Sequence, residues 1–261
     1  MTPKLVRLSL IPVTIAALAF GSTALATHAW STYHWARTAN PFTLKLGDNV
    51  SSAWDATLAT ASADWSKSTV LDTTIVPGQT KGNCQPTKGR VEVCNKTYGN
   101  NGWLGVASIW ASGSHITQGT VKLNDTYFNT PTYDTPGWRQ FVACQEVGHT
   151  FGLDHQDVNF DNANLGTCMD YTNDPIRNDG AGNNLQPNKH DYDELGIIYS
   201  HLDSFTTLLA STTAHGKAVV GAQDSAEFGT VLRQDGRGRP SLYGRDLGNG
   251  EKVFTFVYWA E

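Results

Sequence analysis

The stretch from Trp138 to Tyr171 constrains this chain more than any other. It reads W-R-Q-F-V-A-C-Q-E-V-G-H-T-F-G-L-D-H over residues 138–155 and, after a loop, T-C-M-D-Y over 167–171. Trp138, Phe141 and Val142 recur at helical spacing and predict an inward face that continues through Gln145 and His149, four residues apart and so on one side. Thr135-Pro136 supplies a cap and a first-turn proline for that helix. Gly152 supplies a positive-φ stop, after which the turned chain brings His155 back towards His149. Two histidines converging beside Glu146 point to metal-dependent hydrolysis: the ion is a Lewis acid that acidifies a water, and the carboxylate accepts its proton.

The segment resembles the metzincin zinc-peptidase signature H-E-x-x-H-x-x-G-x-x-H with its methionine turn. Here it stands as Q-E-V-G-H-T-F-G-L-D-H, with Met169 as the turn methionine. The resemblance implies a zincin-like α+β fold: a twisted, mostly parallel sheet with an antiparallel edge strand, two helices against it and a loop-rich C-terminal subdomain. It implies Gln145, His149 and His155 as zinc ligands, Glu146 as general base and Met169 as an apolar floor. Tyr171 corresponds to an extra ligand or a hydrogen-bond donor to the tetrahedral intermediate, or simply packs beneath the loop. Ile116–Leu123 matches the edge strand on which an extended substrate adds through backbone hydrogen bonds.

One position departs from the signature. Gln145 stands where the family has a histidine; its carbonyl oxygen reaches about as far as a ring nitrogen but is the poorer zinc donor. Two functions are therefore expected. One is a zinc-dependent endopeptidase acting on protein or peptide substrates. The other is a catalytically silent metzincin-like protein that binds peptides or a surface. Glu146 favours the first, Gln145 the second.

Residues 1–26 read as a secretory signal, with Lys4 and Arg7 at the basic start, an apolar stretch from Leu8 to Phe20, and Ala24-Leu25-Ala26 as the cleavage site. Its removal takes two of 19 basic residues and none of 24 acidic ones, leaving 17 against 24, a formal charge of −7. That balance, without a Lys/Arg cluster, argues against nucleic acid and against an anionic membrane for the mature chain. A secreted monomer is expected. Four cysteines in an exported chain imply two disulfides. Three pairings are possible, of which Cys84–Cys94 with Cys144–Cys168 is favoured; the second would fix the metal helix to the loop bearing Met169.

The remaining chain is expected to divide into a metallopeptidase-like domain over 27–203, a Ser/Thr/Ala-rich linker over 204–227 and a small antiparallel β segment over 228–261. The aromatic lead-in 27–40 is read as a strap packing its Trp and Tyr rings, with metal binding by His28 and His34 as the alternative. Strands are expected over 41–50, 70–76, 103–110 and 115–124, the last as an edge strand. His115 opens it as a surface residue or as the missing ligand. A helix capped by Ser51 or Ser52 carries the core stripe Trp54, Leu58, Ala61 and Trp65, and another, capped by Asn188, runs through His201. Residues 79–101, rich in Gly, Asn and Lys, are read as a surface excursion. Asp174, Asn178 and Asp179 lie in a loop that lacks the spacing of a calcium site.

Overall fold

The computed structural model describes residues 28–80, 83–208 and 225–261. The expected signal and most of the expected linker lie outside the described residues. The chain opens with β1 (His34–Trp35), β2 (Phe42–Asn49), α1 (Asp55–Trp65) and β3 (Leu71–Pro77). Then come β4 (Val91–Lys96), β5 (Trp103–Ser112), β6 (His115–Asn124), α2 (Asp125–Phe128) and α3 (Pro136–His149). After the methionine turn follow α4 (Lys189–Ile198), α5 (Ser225–Phe228), β7 (Thr230–Gln234), β8 (Pro240–Gly248) and β9 (Glu251–Trp259).

All nine strands belong to one mixed sheet, ordered β3-β2-β4-β6-β5-β9-β8-β7, with β1 added to β6. The half from β3 to β6 is parallel, β1 included. The half from β6 through β5, β9 and β8 to β7 is antiparallel. The near-continuous apolar run of β5 suits its place in the middle, where it is buried at every position but the last. On one face the main core gathers Leu44, Leu46, Trp54, Trp65, Ile109 and Val121 with Phe141, Val142 and Val147 of α3. A smaller cluster contains Trp103, Val106, Phe228, Tyr243 and Val257.

Most strands and helices lie where the sequence pattern puts them, and the expected Cys84–Cys94 and Cys144–Cys168 bridges are both formed. Five expectations are corrected. Inside the supposed surface excursion lies β4, a buried parallel strand. Its pattern is disguised because Glu92 is fully buried in an ion pair with Arg90 at 2.9 Å. Second, β6 is no edge: β4 and β5 flank it, so Ile116–Leu123 has no free side for an incoming peptide. Third, α1 starts after Trp54, whose backbone N–H donates to Ser51 and whose indole N–H donates to Asp125, and no side chain caps it. Fourth, α4 stops at Ile198, although its Asn188 cap is as expected and is completed by Asp191. Fifth, the C-terminal strands do not form a small segment of their own: β9 pairs along the whole of β5 and continues the main sheet.

Two disulfides are present, and among the described residues no helix is long and apolar enough to cross a membrane.

The turn after α3 depends on Gly152. Its φ is 95°, and a Cβ there would lie 2.3 Å from the Tyr33 carbonyl oxygen. Strain and backbone overlap together place the cost of Gly152→Ala at about 3 kcal/mol. The check is a lower urea midpoint at unchanged slope.

Candidate metal centre

The metal helix begins as its sequence dictates: Thr135 Oγ1 accepts from the Trp138 N–H at 3.2 Å, and Pro136 occupies the first turn. Every residue from Phe141 to His149 is buried. Two linkages then tie the helix to the methionine turn. The Cys144–Cys168 disulfide is one. The Gln145 carboxamide is the other, its Nε2 donating to the Cys168 carbonyl at 2.9 Å and the Asp170 carbonyl at 3.1 Å. Met169 lies directly against the helix: a Cβ on Gly148 would stand 2.6 Å from its sulfur. Glycine at 148 is what lets the turn approach so closely.

The donor atoms converge. His149 Nε2 and His155 Nε2 are 3.0 Å apart. The His149 Nδ1–H donates to the Leu153 carbonyl at 2.9 Å, which leaves its Nε2 as a lone pair. His155 Nδ1 stands 3.4 Å from Asp154 Oδ1. A proton on His155 Nε2 makes this contact a hydrogen bond between two neutral rings; without it, the two lone pairs can share a cation. Burial pushes the His149 imidazole well below its ordinary value and lowers His155 too, which disfavours the imidazolium forms. With both amide hydrogens of Gln145 committed, its Oε1 is buried with no hydrogen-bond partner. Imidazole and carboxamide donors suit a divalent ion such as zinc, and the 3.0 Å between the two ring nitrogens is close to the roughly 3.3 Å that separates tetrahedral ligands at about 2.05 Å.

Glu146 is fully buried, and burial raises its carboxyl well above the ordinary range, with the Ala107 backbone acting in the opposite sense. Its side chain lies against β5: a Cβ on Gly105 would be 2.7 Å from Glu146 Oε1. Tyr171 is also buried, its ring 4.3 Å from that of His155 and its hydroxyl 3.5 Å from the Val257 carbonyl. Burial pushes its phenol well above the usual value, and the Glu146 carboxylate adds to the rise. His149, His155 and Tyr171 thus lie together, Gln145 bonds the loop that carries Met169, and Glu146 lies against β5. His28 and His115 do not join them; His28 hydrogen-bonds to Asp191 at 3.1 Å.

The sequence reading missed the cover. Phe256 of β9 stacks on His149, ring centres 4.1 Å apart and planes 8° from parallel, and Tyr258 stacks on Tyr171 at 5.2 Å. The Tyr258 hydroxyl donates to the Thr172 carbonyl. Arg233 of β7 is ion-paired with Asp154, beside His155. Burial alone would raise the Asp154 carboxyl, but His155 and Arg233 hold it down to about 2. The signal was present in F-T-F-V-Y (254–258), where Phe254, Phe256 and Tyr258 share one face of a strand.

No protein-family model matches the chain, and no curated protein matches it. Several solved structures resemble it in part. One is high choriolytic enzyme 1, a hatching-enzyme zinc protease from the medaka fish Oryzias latipes. It is 13% identical, with 66% of this chain and 96% of that one covered and a TM-score of 0.34. Two are structures of myroilysin. The first is 12% identical, with 66% and 98% covered and a TM-score of 0.39. The second is 11% identical, with 63% and 86% covered and a TM-score of 0.33. These likenesses are partial and at low identity.

Because Phe256 is fully buried against the histidine pair, Phe256→Ala is expected to cost about 3–4 kcal/mol. The same variant should lose bound zinc to a chelator faster than the parent, since the covering ring is gone. Thermal unfolding and a stopped-flow chelation trace check the two effects.

Proposed function

We propose that this chain is an exported zinc-dependent endopeptidase in a covered, latent arrangement. The observation that carries the reading is the pair of facing Nε2 atoms of His149 and His155, 3.0 Å apart, with Gln145 on the same helix offering a buried amide oxygen that has no partner. His149, His155 and Gln145 would hold the ion. When bound, it supplies a Lewis acid that acidifies water and polarises a peptide carbonyl. Glu146 accepts the proton of the attacking water and delivers it to the leaving amine. Tyr171 offers its phenolic proton to the developing oxyanion. Met169 closes the site from below and keeps the ligand helix in place.

The natural place for an extended peptide is the β5 edge beside Glu146, and β9 already occupies it. Hydrolysis therefore requires β9 to swing away, carrying Phe256 off His149. The substrates are proteins or peptides able to take up that strand position. Monomeric action and secretion belong to the same reading, supported by the two disulfides and by the leader pattern of residues 1–26.

The cover also favours a second reading, a catalytically silent protein that keeps the cleft for a binding role. The two are separated by assaying cleavage of a denatured protein substrate with zinc-loaded parent, Phe256→Ala and Glu146→Gln. The peptidase reading expects cleavage that a chelator abolishes and that Glu146→Gln lowers at least ~100-fold with zinc content unchanged. Gln145→His should tighten zinc at least tenfold, since imidazole replaces an amide oxygen. Should zinc-loaded Phe256→Ala and Gln145→His both leave the substrate intact, the peptidase reading fails and the silent one stands.

A further inference from the structure

A second cluster of ligand-type side chains lies away from the methionine turn. His34 of β1, His115 at the start of β6, and His201 and Asp203 beyond α4 turn their Nε2 and Oδ1 atoms towards one another. His34 Nε2 is 3.2 Å from His201 Nε2 and 3.4 Å from Asp203 Oδ1. His115 Nε2 is 3.2 Å from the same oxygen, and His201 Nε2 is 3.9 Å from it. These separations bracket the roughly 3.3 Å expected between ligands of one tetrahedral zinc ion with bonds of about 2.05 Å.

The His34 Nδ1 proton is donated to the Thr32 carbonyl at 2.7 Å, which aims its Nε2 at Asp203 and at His201. One oxygen of Asp203 thus faces three ring nitrogens. Asp203 is held for the purpose: its other oxygen, Oδ2, accepts from the Arg37 backbone N–H at 3.1 Å and from Arg37 Nη1 at 3.0 Å, so Oδ1 is left to the three imidazoles. The Arg37 guanidinium is fixed in turn over the Tyr199 ring at 4.8 Å. His34 and Asp203 are nearly buried, whereas the His201 side chain is 54% exposed and gives an ion a way in. Among the described residues, His34, His201 and Asp203 are a group of ligand atoms within 4.8 Å of one another.

We propose that His34, His115, His201 and Asp203 form a second site for a zinc-class divalent cation, one that clamps the N-terminal strap to β6 and to the segment leaving α4. His34, His201 and Asp203 bring three ligand atoms together, and His115, which reaches the same Asp203 oxygen, would complete a tetrahedral set and close the site to substrate. The site stands independently of the proposed peptidase centre.

The test uses the full chain with His149→Ala and His155→Ala, which removes the first ligand pair. After loading with zinc and desalting, elemental analysis should find close to one equivalent retained. Adding His34→Ala and His201→Asn should abolish it. Cobalt in place of zinc should give the visible absorption of a tetrahedral ion in the first protein and none in the second. If the double-alanine chain fails to fold, the parent is compared with His201→Asn, an exposed change. Competition with a chelator should then show one of two zinc equivalents weakened at least tenfold. Zinc content indifferent to His201 and His34, or an alanine chain that folds and retains none, overturns the proposal. Failure of peptidase activity leaves this result untouched, because the readout is metal binding at other residues.

Discussion

The two hydrogen bonds from the Gln145 carboxamide to the carbonyls of Cys168 and Asp170 hold the centre of this molecule together. They join the metal helix to the methionine turn, in parallel with the disulfide one residue earlier. In the signature that the segment resembles, position 145 is a histidine, which has no NH2 to donate to two carbonyls at once. Glutamine makes the crosslink and leaves an oxygen over. The residue that weakens the expected ligand set is thus the one that fixes the loop beneath it, and ligation and architecture meet in a single side chain.

From that crosslink the rest of the site follows outward. The turn at Gly152 sends the chain back so that Leu153 accepts the proton of His149 Nδ1 and His155 arrives opposite Nε2. Burial favours the neutral form of both rings. Strand β9 contributes to it, its Phe256 stacking on His149 while its backbone pairs with β5. Stability and access therefore oppose each other here. The covering strand adds a sheet edge and aromatic stacking, and any reaction at Glu146 has to give those contacts up first.

How much of this the sequence discloses depends on the range of the interaction. The helix from Pro136 to His149, its cap, its stop and the turn at Met169 are legible because each is set by neighbours a few residues away. Both favoured disulfides were legible for the same reason, since each closes a short loop. What the sequence conceals is pairing at long range. Nothing near residue 256 says that it will lie on His149, because β9 reaches β5 only through closure of the whole sheet. Strand β4 was hidden differently: Arg90 and Glu92 look like surface residues until each is seen to be the other's buried partner. His115, read as a surface residue, and Asp203, placed at the edge of a linker, gained meaning only when β1 lay down beside β6.

Both histidine clusters use the same local device. In His149 and in His34 the Nδ1 proton is given to a backbone carbonyl within four residues, to Leu153 in one and Thr32 in the other. This fixes the tautomer and turns a bare Nε2 towards its neighbours. Each cluster thereby gathers ligand-type atoms at close range, and that geometry is the reason to propose a cation at each. The two differ in what surrounds the ion. In the proposed centre at His149, the buried Glu146 would be the carboxylate left free of ligand duty to move protons. The one at His34 has its only carboxylate tied to Arg37 and to the ring nitrogens, and is suited to holding chain segments together.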